Sequence, residues 1–93
     1  MGRSSRKRPL RLAEKLLQIR IGLDLSQNDL VARIGFQDEL QREKVSNFER
    51  GVREPSLLVL LAYANLAGIC LDFLANDELD LPEKLPNNPK HKY

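Results

Sequence analysis

Apolar residues recur along this chain at helical spacing, and glycines divide the pattern into segments. Four glycines, Gly22, Gly35, Gly51 and Gly68, are each followed by an apolar residue. A glycine in the left-handed conformation, with an apolar residue packing back on the last turn, is a common end for a helix. No segment shows the period of two that marks a strand. The pattern therefore predicts an all-α fold with a helix before each of these glycines.

Four helices are predicted in this way, and the apolar anchors Phe73 and Leu74 predict a short fifth. They cover about Pro9 or Leu10 to Ile21, then Ser26 to Ile34, a third segment ending at Arg50, Leu57–Ala67, and a short segment around Leu71–Ala75. The expected buried positions of the first two helices are Leu12, Ala13, Leu16, Ile19, Leu30, Val31 and Ile34. The fourth helix is apolar nearly all round, which predicts either a central position in the fold or cover on two sides, with a partner subunit as the candidate for the second side. Prolines at 82, 86 and 89 exclude a continuous helix beyond the fifth.

Helix starts are marked by capping residues. Ser26 is a good N-cap, and Asp29 three residues later gives a capping-box pattern. Leu25 and Leu30 occupy the two positions of a hydrophobic staple around that cap. Ser56 is the expected N-cap of the fourth helix.

The third helix has its polar side chains on one face. Asp38 is its candidate N-cap, with Gln41 completing a capping box, which predicts about twelve helical residues. We expect Leu40, Val45 and Phe48 to face the core. The opposite face carries Arg42, Glu43, Ser46 and Arg50, with Asn47 at its margin.

The composition restricts the class of protein. A chain of 93 residues with 42% apolar and 30% charged residues predicts one soluble domain. The single cysteine, Cys70, excludes a disulfide framework within one chain and fits a reducing cytoplasm. Neither a signal peptide nor a membrane-spanning run is visible, so we expect a cytoplasmic protein without membrane contact. Cys70 is expected to be a small buried residue, and Tyr63 and Phe73 to serve the core and an interface.

Enzymatic activity is not expected. The only histidine is His91, close to the C-terminus. The chain has no glycine-rich phosphate loop and no nucleophile accompanied by a base. We therefore expect neither catalytic residues nor a cofactor nor a metal site.

Charge is distributed unevenly between the two halves. Residues 1–55 hold 12 Lys or Arg and 8 Asp or Glu, whereas residues 56–93 hold 3 and 5. The first 11 residues contain five basic residues and no acid: Arg3, Arg6, Lys7, Arg8 and Arg11. This asymmetry indicates a polyanionic partner for the N-terminal half. Within this half, the basic N-terminal arm that contains Arg3–Arg8 either enters a DNA minor groove or is disordered and attracts phosphates without specificity.

Two short helices with a polar outer face on the second are typical of a helix-turn-helix, in which the second helix lies in the major groove of DNA. The segments LSQNDLVARIG, VSNFERGVREPSLLVLLAYANLAGI and LDFL resemble the Xre-type, phage-repressor-like family of transcriptional regulators. The resemblance covers roughly residues 10–76. It implies a compact five-helix bundle of the lambda-repressor-like type that binds double-stranded DNA, usually as a homodimer.

The resemblance also implies a role for particular residues. Gln27 corresponds to a residue that reaches a phosphate and braces the recognition helix. Base-reading positions fall at Arg42, Glu43, Lys44 and Asn47, with Ser46 on the same DNA-binding helix, and phosphate contacts at Arg50 and Arg53. Arg20 and Glu49 correspond to a partly buried ion pair that ties the first helix to the third.

The segment from Gly35 to Val45 departs from the family, because it is longer by about one helical turn of 3.6 residues. Two interpretations are open. The recognition helix is extended at its N-terminus, starting near Glu39, or the extra residues form a loop that leaves the usual helix in place. The Asp38 and Gln41 pattern favours the extended helix.

The sequence thus predicts a basic, flexible N-terminal arm over residues 1–9, a DNA-binding domain over residues 10–76 and a Pro-containing tail over residues 77–93 with a disordered end. The expected function is that of a sequence-specific transcriptional regulator, with repression favoured. One rival is a protein-interaction module, such as an antitoxin or adaptor. A second rival is a non-specific nucleic-acid binder that depends on the arm.

Overall fold

The structure, a computed structural model, describes residues 9–35 and 40–86, and in these ranges the chain forms five helices and no strand. The helices are α1 (Leu12–Gly22), α2 (Gln27–Ile34), α3 (Arg42–Glu49), α4 (Leu57–Ala67) and α5 (Asp72–Ala75). The prediction of an all-α fold is confirmed. Residues 1–8 of the predicted arm, the Asp38 cap and the end of the predicted tail lie outside the described residues.

Helix α1 supplies one side of the core. Leu12, Leu16 and Ile19 recur at helical spacing and are buried. The helix starts after the predicted Pro9 or Leu10 and includes Gly22, which is not its left-handed end as predicted. A Cβ at Gly22 would lie 3.1 Å from a methyl group of Leu85, so a larger residue there would require Leu85 to shift by a few tenths of an ångström.

Two predictions of capping are confirmed at α2. The Ser26 hydroxyl accepts from the Asp29 N–H at 3.0 Å, and the Asp29 carboxylate accepts from the Ser26 N–H at 3.1 Å. This reciprocal pair satisfies two N–H groups that lack helical partners. Gly35 ends the helix with φ 86°, in the left-handed region where a side chain is strained.

Helix α3 begins later than predicted, at Arg42. Its N-cap residue is Gln41, whose φ of −127° and ψ of 163° are extended and not helical, so the extended helix was wrong. The residue before this cap, Leu40, is only 1% exposed and packs into the core. On a continuous helix, Leu40 would lie about 140° from Val45 and about 80° from Phe48, at 100° for each residue, at the margin of the buried face. The extended backbone at Gln41 instead allows Leu40 to be fully buried.

Helix α4 is the most apolar element, and Ser56 caps it by accepting from the Val59 N–H at 3.3 Å. Its inner side buries Val59, Tyr63, Ala64 and Ala67. The outer side leaves three leucines exposed: Leu57, Leu58 and Leu61. Within the described residues, α4 is thus covered on one side.

The core joins all five helices. Helix α1 packs against α3, α4 and α5, while α2 packs against α3 and α4. Residues 77–86, predicted as a tail, fold back on α1, where Leu85 is only 5% exposed. Cys70 is exposed, so its predicted burial was wrong. None of the described helices is long and apolar enough to traverse a lipid bilayer.

Candidate nucleic-acid interface

A buried polar network fixes α3 to the two preceding helices. Arg20 on α1 donates from Nε to Glu49 Oε2 at 2.6 Å and from Nη2 to Glu49 Oε1 at 3.1 Å. Gln27, the first residue of α2, donates to the same Oε1 at 3.1 Å. A third guanidinium bond reaches the carbonyl of Leu25 at 3.0 Å. One carboxylate on α3 therefore receives donors from α1 and α2, and it sets the position of α3.

The charged side chains of this network are largely shielded from solvent. The side chain of Glu49 is 6% exposed and that of Arg20 is 18% exposed. The hydrogen bond that Arg20 donates to Glu49 raises the pKa of Arg20 above its already high ordinary value. Tyr63 is fully buried, and burial together with the Glu49 carboxylate raises the pKa of its hydroxyl. Because the charges of Arg20 and Glu49 are largely removed from water, replacing one of the two residues leaves the charge of the other without compensation.

The side of α3 opposite the core carries polar groups. Glu43, Asn47 and Arg50 are separated by four and three residues, so they line up on one face. Glu43 and Arg50 are exposed, and Asn47 and Ser46 are half-buried. An Arg50 N–H donates to Asn47 Oδ1, so these two side chains hold each other on the helix surface. The face thus presents amide, guanidinium and carboxylate groups together.

Two predicted contact residues lie to either side of this face. Arg42 is exposed at the first position of α3. Lys44 lies on the opposite flank, where it lines a groove with Leu57, Leu58 and Arg53. The structure therefore groups Glu43, Asn47 and Arg50, with Ser46 nearby, but separates Lys44 from them.

The turn after α3 extends the polar surface. Gly51 adopts φ 76°, and the Val52 and Arg53 N–H groups both donate to the carbonyl of Asn47, at 2.9 and 3.3 Å. This geometry leaves the Arg53 side chain exposed just beyond the end of α3. Arg42, Arg50 and Arg53 are thus exposed cations at the start, end and exit of one short helix.

Sequence reasoning missed a second polar cluster, at the other end of α1. Arg11, one of the five basic residues among the first 11, is paired with Asp80 at 2.8 Å. Lys15 is fully buried and donates to the carbonyls of Phe73 and Asn76 at 2.7 and 2.8 Å. Burial lowers the pKa of Lys15. The net positive charge of residues 1–55 and the net negative charge of residues 56–93 indicated that the two parts attract each other, but they did not identify Arg11 and Asp80 as partners.

The described residues contain no group of three His, Cys, Asp or Glu side chains arranged to hold a metal ion. No family model matches this chain, and no curated protein or solved structure shows significant similarity to it. The interpretation of this surface therefore depends on the motif residues of the sequence and on the geometry of α2 and α3.

Proposed function

We propose that this protein is a cytoplasmic, sequence-specific double-stranded DNA-binding regulator, in which α3 enters the major groove and the bundle is of the lambda-repressor-like type. A repressor acting as a homodimer fits this proposal best. The observation that carries it is the two-sided character of α3. Val45, Phe48 and Glu49 fix one side of this helix, while Glu43, Asn47 and Arg50 project from the other.

The exposed groups suit recognition of bases. In the major groove, arginine donates to the acceptors of guanine, asparagine pairs with adenine, and glutamate accepts from the amino group of cytosine. The Arg50 contact to Asn47 uses only some of the guanidinium donors, since arginine has five N–H groups. The remaining donors and the Asn47 amide N–H₂ are available to a base edge or a phosphate.

Rigidity supports readout as well. A reading helix gains specificity when its angle to the scaffold is fixed before binding, because less conformational freedom is lost in the complex. The Arg20, Gln27 and Glu49 network provides such a fixed angle from both α1 and α2. Gln27 in this network is the bracing residue that the resemblance implies. Arg53 on the exit turn would add a phosphate contact, which positions the protein without reading sequence.

Selection of bound DNA from a random pool by the full chain is the direct test. We expect an enriched sequence, and for a dimer we expect two half-sites with centres about 34 Å apart, one turn of DNA. On that sequence, Arg42→Ala should reduce affinity by about tenfold, equivalent to 1.4 kcal/mol. Lys84→Ala removes one exposed positive charge from residues 77–86 and is the matched control.

The comparison of Arg42→Ala with Lys84→Ala distinguishes a specific contact of Arg42 with DNA from the loss of one positive charge, since both variants lose the same charge. Equal effects of both variants on selected DNA would contradict the assignment of Arg42, provided that both melt like the parent chain. Failure of the pool to yield any preferred sequence would contradict specific recognition as a whole.

A second function, as a protein-interaction module, is favoured by one observation. Leu57, Leu58 and Leu61 are 67%, 65% and 43% exposed on consecutive turns of α4. Contiguous exposed apolar side chains often mark a protein contact. Under this alternative, Leu57→Ser with Leu61→Ser would abolish capture of a partner protein, while the chain would select no DNA sequence. The Arg42→Ala variant would then retain the partner.

A further inference from the structure

Arg50 determines which way the Asn47 amide is turned on the outer face of α3. An N–H of the Arg50 guanidinium donates to Asn47 Oδ1. A guanidinium carries five N–H donors and no acceptor, so the amide can only turn its oxygen toward Arg50. The N–H₂ group of Asn47 then lies on the side of the amide away from this contact. Together the two side chains present several donors, while the only side-chain acceptor of the pair is engaged.

The backbone beneath this pair is held in place. The carbonyl of Asn47 accepts from the N–H groups of Val52 and Arg53 at 2.9 and 3.3 Å, and the Arg50 N–H donates to the Ser46 carbonyl at 3.0 Å. Asn47 is half-buried. The contact between the two side chains therefore forms on a fixed main chain, and it is present before any DNA is bound.

The orientation of the amide decides which base edge suits it. In the major groove guanine presents two acceptors, N7 and O6, whereas adenine presents the acceptor N7 beside an amino donor. Asparagine alone pairs with adenine, because it uses its oxygen and its N–H₂ group together. On α3 the second lone pair of Asn47 Oδ1 lies beside the Arg50 cation, which repels an approaching amino donor and attracts acceptors. The pair therefore matches guanine.

Glu43 provides the complementary acceptor on the same face. It precedes Asn47 by four residues, which places it about 6 Å away along the axis and about 40° around it. Its carboxylate accepts hydrogen bonds, and the cytosine paired with guanine presents an amino donor in the major groove. The outer face of α3 thus presents donors followed by an acceptor. That order complements a G·C edge, where guanine presents acceptors and cytosine a donor.

We propose that the Asn47 and Arg50 pair selects a G·C base pair, with Asn47 donating to guanine and Arg50 acting as the positioning residue that turns the amide. This inference rests on the proposed function, and it names the base pair that the interface favours. It is the opposite of the adenine preference that an isolated asparagine has.

The test is selection of bound DNA from a random pool by the full chain and its variants. Asn47→Ala identifies the position that Asn47 contacts, because the preference at that position should disappear while the others remain. There the parent should bind a G·C site about tenfold or more tightly than the same site with A·T, as expected for one good contact between a side chain and a base. Arg50→Leu releases Oδ1 and should reverse this preference to A·T.

Two further variants are the controls. Arg53→Leu removes the same charge from the turn after α3, so it should weaken binding to all sites about equally and leave the G·C preference unchanged. Arg50→Lys keeps a cationic donor without an acceptor, and it should retain the G·C preference. If Arg50→Leu melts below the assay temperature, Arg50→Met takes its place, since it also lacks a donor.

Four results would overturn the inference while leaving the proposed function standing. The first is a parent preference for A·T at the position that Asn47 contacts. The second is an Arg50→Leu variant with the same preference as the parent, and the third is an equal change of preference in Arg53→Leu. The fourth is an Asn47→Ala variant that loses no base preference at any position. A parent chain that enriches no sequence would instead overturn the proposed function, and this inference with it.

Discussion

The guanidinium of Arg20 and the carboxylate of Glu49 form a two-point ion pair that joins α1 to α3 across the interior of the bundle. Both side chains are largely removed from water, at 18% and 6% exposure. Planar guanidinium and carboxylate groups match each other in this geometry, which lysine does not reproduce. The pair fixes the helix that carries the candidate reading face, although neither residue belongs to that face.

Arg20→Ala should destabilise the fold by about 3–5 kcal/mol, because it leaves the Glu49 carboxylate buried without its main partner. Chemical denaturation would measure this loss. The double substitution Arg20→Met with Glu49→Leu removes both charges and should recover most of the stability, since a buried pair is often replaceable by apolar residues. Arg33→Ala, at an exposed site on α2, is the control and should change stability by no more than about 0.5 kcal/mol. A double variant as unstable as Arg20→Ala would contradict this account.

The start of α2 and the end of α4 were predictable because their signals are local. Ser26, Asp29 and Gly68 determine hydrogen bonds within a few residues of themselves, and the sequence pattern identifies such positions directly. The Arg20 and Glu49 pair was expected only from the resemblance, since 29 residues separate the two in sequence.

Other features depended on contacts that no local pattern encodes. Gly22 lies inside α1 and packs close to Leu85, 63 positions later, and it does not end the helix. Helix α3 starts at Arg42, after the extended Gln41 and the buried Leu40, although the Asp38 and Gln41 pattern predicted an earlier start. The part of the interface nearest the expected base contacts was therefore the part least predictable from sequence.

The capping box at α2 makes stability depend on pH in the acid range. The hydrogen bond from the Ser26 N–H lowers the pKa of Asp29 below its ordinary 3.8, and the Ser26 side chain lowers it further. A carboxylate whose folded-state pKa is lowered stabilises the fold above pH 3.8, and this contribution is lost as the pH falls through the folded-state pKa. Asp29→Asn should therefore melt below the parent chain at pH 6, and the difference should shrink below about pH 3.8. Melting temperatures across pH 2–7 would measure it, with Glu78→Gln as the control for loss of one exposed carboxylate. A difference that stays constant with pH would exclude the charged cap as its cause.

Tyr63 gives a prediction in the alkaline range. Its side chain is fully buried, and among the described residues its hydroxyl has no hydrogen-bond partner. Removing the hydroxyl therefore breaks no bond of the described chain, and Tyr63→Phe should raise the free energy of unfolding by about 1 kcal/mol at pH 7.

The advantage of Tyr63→Phe should also grow with pH. Burial raises the pKa of Tyr63 above 10.0, so the parent chain loses stability once the pH passes 10.0, where the unfolded phenol ionises. The phenylalanine variant has no phenol to ionise, so it does not lose this stability. Denaturation at pH 7, 9 and 11 would measure the difference. A Tyr63→Phe chain that is less stable than its parent at pH 7 would mean that the hydroxyl makes a bond of its own.

The N-cap of α3 offers a way to stabilise the helix that we propose reads DNA, without changing its outer face. Gln41 has the extended conformation of an N-cap, but its side chain makes no capping hydrogen bond. Serine at this position would accept from an N–H in the first turn, and such caps contribute about 0.5–2 kcal/mol relative to residues that cannot cap. Gln41→Ser should therefore raise the unfolding free energy by about 0.5–1 kcal/mol. Gln41→Ala controls for loss of the long side chain and should give no such gain.

The same substitution tests whether Gln41 contacts DNA. Because the outward groups of α3 are unchanged, the sequence selected from a DNA pool should be the same for Gln41→Ser and for the parent. A gain in stability accompanied by a different selected sequence would show that Gln41 itself contacts the bases.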